Sequence, residues 1–311
     1  MAGKFLFKIL ILIALVTAVL APLEMVARKI YRNEEPEFDA MIDSLKKRSG
    51  NVNTVILGSS HSRRGIRDDL LSEEIFNMAF YSQDLYYNIE LIKRFIPELP
   101  ELRRIVLEVD PFTMCYDQIE VSRYTARRYA RLGIPARQRF NTMLFLQSNF
   151  ELLNHREKFI FDLFRFIVKG EYPHPMTHKP VRDLSGEKAV RRTLKERLAL
   201  HNGFYGSGKT FRKNLEFLAR FYSFTETAGI KVTVLHMPVT DLYWAGLSQE
   251  LKDAFAETED LIIGKCPLWS IADFRFLYAG EYSLFRDADH LNEEGSRKFT
   301  ALLNEYLGRF K

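Results

Sequence analysis

Ser60 closes the first run of the chain that reads as a buried strand. In Val52–Gly65, VNTVILGSSHSRRG, the residues Thr54-Val55-Ile56-Leu57 pass straight into Gly58-Ser59-Ser60. A short apolar run that ends in Gly-Ser-Ser predicts a strand followed by a tight turn, and Gly58 permits that turn. A hydroxyl there projects above the C-terminal end of the strands, but it is a weak nucleophile without a base. His290 is the candidate base, because neutral imidazole takes up a proton near pH 7. Asp287, in Asp287-Ala-Asp-His290-Leu-Asn, is the candidate that orients the imidazole and stabilises its charged form. A serine, a histidine and an aspartate in these roles form a nucleophilic triad, whose chemistry is acyl transfer. Ser59 is the second choice of nucleophile and Asp289 the alternative carboxylate.

Other polar residues could complete such a site. Ser82 and Gln83 follow the second strand and are candidate donors to an oxyanion, Ser82 through its backbone N–H and Gln83 through its side chain. His61, Arg63 and Arg64 follow the serine and suit an anionic acceptor; the plainer reading is a solvated basic turn. His236, at a strand end, is either a pocket residue or a satisfied core histidine. Gly203–Thr210, GFYGSGKT, matches the phosphate-binding pattern G-x-x-x-x-G-K-[ST], but the preceding TLKERLALHN is polar and helical where that motif needs a strand. Nucleotide binding is therefore disfavoured. Cys115 and Cys266 lie in no cluster with metal-ligand spacing, and their pairing is open. No cofactor or metal is implied.

The elements that must position these residues follow an α/β rhythm. Ile75–Phe80 and Arg104–Val109 read as the second and third strands. Between them, apolar residues at Leu85, Ile89, Ile92 and Ile96 mark a helix that Pro97 ends. Phe211, Leu215, Leu218 and Tyr222 share a helix face closed by Gly229. Lys231–Met237 and Leu268–Phe274 are strands, and Leu291–Leu307 is the final helix, with Asn292 as its N-cap. Strand–helix–strand repetition predicts a parallel sheet with right-handed crossovers. Between Tyr116 and about Asn202 the rhythm breaks into Arg- and aromatic-rich segments, YTARRYARLGIPARQRF and FIFDLFRFIVKG, which read as a helical insertion, either packed over the sheet or serving as a basic docking surface.

The chain has 311 residues, of which 47% are hydrophobic and 13% aromatic, enough to bury a core. A net charge of +5 fits anionic surfaces or acidic glycans, and no nucleic-acid-binding motif accompanies it. Phe5–Leu23 is apolar except for Lys8 and Thr17, about the length that spans a bilayer. Pro22 after Ala21 is a poor cleavage context, so an uncleaved signal anchor is expected. Lys4 and Lys8 before it and Arg28, Lys29 and Arg32 after it leave the orientation open. The expected division is an anchor over 1–27, a stalk over 28–50, and one domain over 51–311 with the helical insertion at about 116–202.

Taken together, Gly58-Ser59-Ser60 and Asp287-x-x-His290 resemble the SGNH (GDSL-like) hydrolase superfamily, and more closely its membrane-anchored DltD-like and AlgJ/AlgX-like branch, which modifies polysaccharides and teichoic acids. The resemblance covers Val52–Asp110 and Lys231–Leu307. It implies a three-layer α/β/α flavodoxin-like domain with Ser60 as nucleophile and Asp287 and His290 as its partners. The superfamily's oxyanion Gly and Asn have no counterparts at Asn77–Gln83 or Glu108–Pro111. The likeness further implies O-acyl transfer or ester hydrolysis on a cell-envelope carbohydrate and a membrane-bound O-acyltransferase as partner. It places the C-terminal domain on the periplasmic or extracellular side of the inner membrane. A catalytically silent subunit of an envelope assembly is the alternative from another class.

Overall fold

The computed structural model describes residues 2–31, 35–117, 126–137, 142–172, 185–206 and 208–309. Arg32 and parts of the 116–202 stretch lie outside the described residues. The chain divides into two compact units: Met1–Ala40 with Ile119–His178, and Met41–Gln118 with Lys179–Lys311. The helical region read from the sequence at 116–202 is thus shared between them. Among the described residues the α-helices are, in chain order, α1 (Ala2–Ile30), α2 (Pro36–Arg48), α3 (Ser60–Gly65), α4 (Leu85–Phe95), α5 (Pro111–Cys115), α6 (Ala126–Ala130), α7 (Thr142–Asn149), α8 (Glu151–Asn154), α9 (Phe159–Lys169), α10 (Glu187–Tyr205), α11 (Lys209–Thr227), α12 (Asp241–Gly246), α13 (Gln249–Lys265) and α14 (Glu293–Gly308).

The larger unit is built on a five-stranded parallel sheet of β1 (Thr54–Leu57), β2 (Ile75–Asn77), β3 (Arg104–Glu108), β4 (Lys231–His236) and β5 (Trp269–Asp273), in the order β2-β1-β3-β4-β5. This is the flavodoxin-like order. Thr54 pairs with Ile75 on one side and with Arg104 on the other, and the β3–β4 register brings Glu108 opposite Leu235. β1 is buried at every residue, as a strand covered on both faces should be. On one face Ile56, Val106 and Leu235 form a cluster with Phe299, Leu303 and Leu307 of α14. Burying each of those three α14 side chains contributes about 1.5–3 kcal/mol. α4 packs on α11, and α13 packs on β5. Asn292 caps α14, its side chain accepting from the Gly295 N–H at 2.9 Å, as its place before the helix predicts.

β2 is added on one side of β1 and β3 on the other, so the strand order reverses there and the topological switch point lies at the C-terminal ends of β1 and β3. The loops that diverge at such a point are the usual ligand position in sheets of this kind. Ser60 follows β1 and Asp110 follows β3.

The smaller unit contains α1, whose Gly3–Ile30 segment includes an 18-residue window with a mean hydropathy of 2.6, unburied along its length. It is long and apolar enough to cross a membrane; a signal sequence has the same length and composition. The Glu24 carboxylate near its end accepts from the Glu151 and Leu152 N–H groups at 3.0 and 3.1 Å, satisfying two orphan donors at the start of α8.

Candidate active site

Ser60 occupies the first position of α3, directly after the tight turn that closes β1. Ser59 is the N-cap, its Oγ accepting from the His61 N–H at 3.3 Å. The turn is built around the Glu108 carboxylate at the end of β3. That carboxylate accepts from the Ser59 N–H at 3.0 Å, from the Ser62 N–H at 2.9 Å and from the Ser59 hydroxyl. Gly58 is required here, since a Cβ would come within 2.6 Å of Ser62 Oγ and would also meet the Glu108 carboxylate. Ser59 is thus fully buried and committed to Glu108, which removes it as a rival to Ser60.

The Asp287–His290 loop is fixed before α14. Phe285 and Leu291 form an antiparallel bridge around it. The Arg286 N–H donates to His290 O at 3.0 Å, and the Thr240 hydroxyl donates to Ala288 O at 2.6 Å. The loop brings His290 Nε2 to 2.9 Å from Ser60 Oγ. On the other side of the ring, Nδ1 lies 3.0 and 3.1 Å from the two oxygens of Asp287. The tautomer that satisfies both contacts carries its proton on Nδ1, so that Nε2 accepts from Ser60. Asp287 Oδ1 also accepts from the His290 N–H at 2.8 Å, which pins the carboxylate to the loop. Ser60, His290 and Asp287 are therefore brought together. Asp289 Oδ1 is farther from His290 Nδ1, at 3.5 Å.

Asp289 belongs to a second network that the sequence did not disclose. Arg197 from α10 donates to both its oxygens, at 2.7 and 2.6 Å. His61 Nε2 lies 3.0 Å from Asp289 Oδ2, and His61 Nδ1 lies 3.1 Å from Asp110 Oδ2. The His61 ring also stacks obliquely on that of His290, with centroids 4.6 Å apart. Burial alone would lower the pKa of His61, but hydrogen bonds to Asp110, Asp289 and Glu108 hold it well above the ordinary histidine value. Despite burial, Arg197 and the two histidines hold Asp289 well below the usual carboxylate range. His201, whose Nδ1 contacts the Tyr243 hydroxyl, is pushed well below the ordinary value by burial.

His61 therefore neither faces solvent nor awaits an anionic acceptor: it is buried between carboxylates. Arg63 is paired with Asp68 at 2.6 Å. Arg64 lies over the Tyr81 ring at 4.8 Å, and burial lowers its pKa. Ser82 is an exposed turn residue with a φ of 54°. The Gln83 side chain does not match the oxyanion role expected of it, because its NH2 already donates to Met78 O at 3.1 Å and to Asn88 Oδ1 at 2.7 Å. His236 is the core alternative, buried with Nδ1 against Val109 O and Nε2 3.0 Å from Glu259. Gly203 lies inside α10, and no strand precedes the GFYGSGKT segment, whose Ser207 lies outside the described residues. Cys115 and Cys266 are both free thiols.

Among the described residues, two groups have ligand atoms close enough to share a metal ion: His61, Asp289 and His290, and His61, Glu108 and Asp110, the atoms of each lying within 4.8 Å of one another. His61 is common to both. Both of its ring nitrogens already face carboxylates, Nδ1 toward Asp110 and Nε2 toward Asp289.

No family model matches the chain, and no curated protein does. Solved structures similar to it include a candidate acylhydrolase from Bacteroides fragilis (10% identity, TM-score 0.40, covering 86% of this chain and 94% of that one). A GDSL-like lipase from Bacteroides thetaiotaomicron is similar at 11% identity and a TM-score of 0.41, covering 90% of this chain and 98% of that one.

Proposed function

We propose that this chain is a serine-dependent acyl-transfer enzyme. What supports the reading is the contact of 2.9 Å between Ser60 Oγ and His290 Nε2, in a ring whose Nδ1 is held by Asp287. Ser60 Oγ attacks an acyl carbonyl while His290 Nε2 takes its proton. His290 returns that proton to the departing alkoxide, leaving an acyl-serine. A second hydroxyl, from water or an acceptor, then gives its proton to His290 and takes the acyl group, and His290 passes that proton to the departing Ser60 Oγ. The backbone N–H groups of Ser60 and Ser82 are the proposed oxyanion donors.

The proposed substrate is an acylated carbohydrate of the cell envelope, with O-acyl transfer to a surface polysaccharide beside a membrane-bound O-acyltransferase as the first choice and de-esterification as the second. The length and apolarity of α1 support a membrane location for the domain, and the sequence resemblance supports the acceptor class. A silent, ligand-binding subunit is favoured by two observations: the Gln83 amide is engaged elsewhere, and Asp110 stands after β3 in place of an Asn donor.

The test is fluorophosphonate labelling of the full chain in detergent. Labelling that disappears in Ser60→Ala and falls strongly in His290→Ala is the expected result. A wild-type chain that neither labels nor cleaves a chromogenic acyl ester would sink the enzyme reading in favour of the silent subunit.

A further inference from the structure

Helix α9, in the smaller unit, is apolar on two opposite faces. Phe159, with Leu163 and Phe166 beside it, packs on Ala27, Ile30 and Tyr31 at the end of α1. Asp162, the acidic residue of α9, also points that way and accepts from the Tyr31 hydroxyl at 2.7 Å. The other face carries Ile160, Phe161, Phe164, Ile167 and Val168, a spacing that lines up along one side of a helix. These five residues are 60–79% exposed. A soluble domain rarely leaves so many large apolar side chains contiguous without a use for them.

We infer that this face of α9 lies in the headgroup–acyl boundary of the lipid bilayer, parallel to the membrane, where α1 emerges. The inference rests on reading α1 as embedded in the membrane. α1 has 29 residues, which at about 1.5 Å each exceeds the roughly 30 Å hydrocarbon core. Its last turns therefore protrude, and those are the turns on which α9 packs. The exposed apolar surface of α1 and that of α9 belong to one packed unit, so lipid covering the first is positioned to cover the second. Cations sit where such a helix needs them. Lys29, in the last turn of α1, lies 5.7 Å from the Phe166 ring centre, and Lys158 and Lys169 bracket α9 and are exposed. Long cationic side chains at a boundary helix reach headgroup phosphates while their stems cover apolar surface. The face itself carries no charge, which suits acyl chains.

The experiment uses the full chain with Cys266→Ser. Cys115 stays unreactive, its thiol pushed up to about 12 by burial. A single cysteine is introduced as Leu12→Cys in α1, or as Phe164→Cys or Ile167→Cys in α9, and carries an environment-sensitive fluorophore. The protein is reconstituted into phosphatidylcholine–phosphatidylglycerol vesicles containing lipid with a nitroxide near either the headgroup or the acyl terminus. Both α9 probes should shift to the blue and lose more emission to the shallow nitroxide than to the deep one, with the reverse at Leu12. Loss at Leu12 but none at either α9 probe overturns the inference and leaves the anchor standing. Protection of the α9 probes from aqueous iodide without loss to either nitroxide means that a second copy covers the face, and also overturns it. Loss at the α9 probes alone rejects α1 as an anchor and overturns the inference as well, since α9 would then have no emerging anchor beside it. Loss at no probe rejects both.

Discussion

His61 Nε2 lies 3.0 Å from Asp289 Oδ2, and each residue is the immediate chain neighbour of a member of the candidate triad. His61 follows Ser60, and Asp289 precedes His290. The contact between Ser60 and His290 is thus flanked by a buried ion pair that ties the turn after β1 to the loop before α14. Neither loop borders the other in sequence, so this tie and the Glu108 anchor are what hold the hydroxyl within reach of the imidazole.

The tie makes stability depend on pH in a defined direction. His61 has its pKa raised in the folded chain. Its contribution is fully present below the unfolded histidine value of about 6.5 and is lost as pH rises through the folded value. Asp289 and Glu108 are lowered, so theirs is present above about 4 and lost as pH falls through their folded values. His201, lowered and neutral in the fold, adds to the acid-side loss from about 6.5 downward. Urea unfolding across pH should show a declining alkaline limb in the wild type. His61→Gln should flatten that limb and cost about 3–5 kcal/mol at pH 6.5, because it leaves Glu108 and Asp110 without their buried counter-charge. An unchanged alkaline slope in the variant would mean that His61 is neutral in the fold.

The two carboxylates near His290 should separate function from stability. Asp287, partly exposed, holds Nδ1, so Asp287→Asn should slow fluorophosphonate labelling by about 10⁴ while moving the unfolding midpoint little. Asp289 is buried under Arg197 and His61. Asp289→Asn should therefore destabilise the chain by about 3–5 kcal/mol. Equal rate losses in the two variants at a temperature where both are folded would refute this division.

Much of this architecture is written in local sequence. β1 occupies Thr54–Leu57 as read, and the other strands differ from their expected spans by a few residues at their ends. Ser60, Asp287 and His290 were legible because each sits at a junction with a short-range signature, a strand–turn or a loop before a capped helix. Glu108, His61 and Arg197 were not. Glu108 looks like the polar end of a strand, and His61 and Arg197 look like surface basic residues. Their roles arise from partners on other elements, such as Asp289 at the far end of the chain, and no periodicity encodes such pairs. α13 was missed for a different reason. Its composition is polar, but Leu251, Phe255, Thr258 and Ile262 are buried at helical spacing, a signal present in the sequence.

The two thiols should differ sharply in reactivity. Cys115 is buried and pushed up to about 12 by burial, reinforced by Asp110, while Cys266 is partly exposed. At pH 8 a thiol of that pKa is roughly one part in 10⁴ thiolate. A disulfide-exchange reagent should therefore modify Cys266 in the native chain and reach Cys115 only on unfolding. Rapid modification of both without loss of structure would contradict the placement of α5.

Gly58 offers the most direct test of the turn that presents Ser60. A methyl group there would stand within 2.6 Å of Ser62 Oγ and 2.7 Å of Ser62 Cβ, and would press on the carboxylate that organises the turn. Backbone must move to admit it, and the Glu108 contacts to the Ser59 and Ser62 N–H groups must lengthen. Gly58→Ala should cost about 1–3 kcal/mol of stability, the usual cost of overpacking. It should also lower the labelling rate at Ser60 by about 10² or more, since an ångström of misplacement is enough to break an aligned attack. Glu108→Gln keeps the side-chain shape but removes the charge, so it should weaken the same turn without the clash. If Gly58→Ala labels at the wild-type rate, Ser60 is not held by this turn, and the geometry that supports it as the nucleophile loses its structural basis.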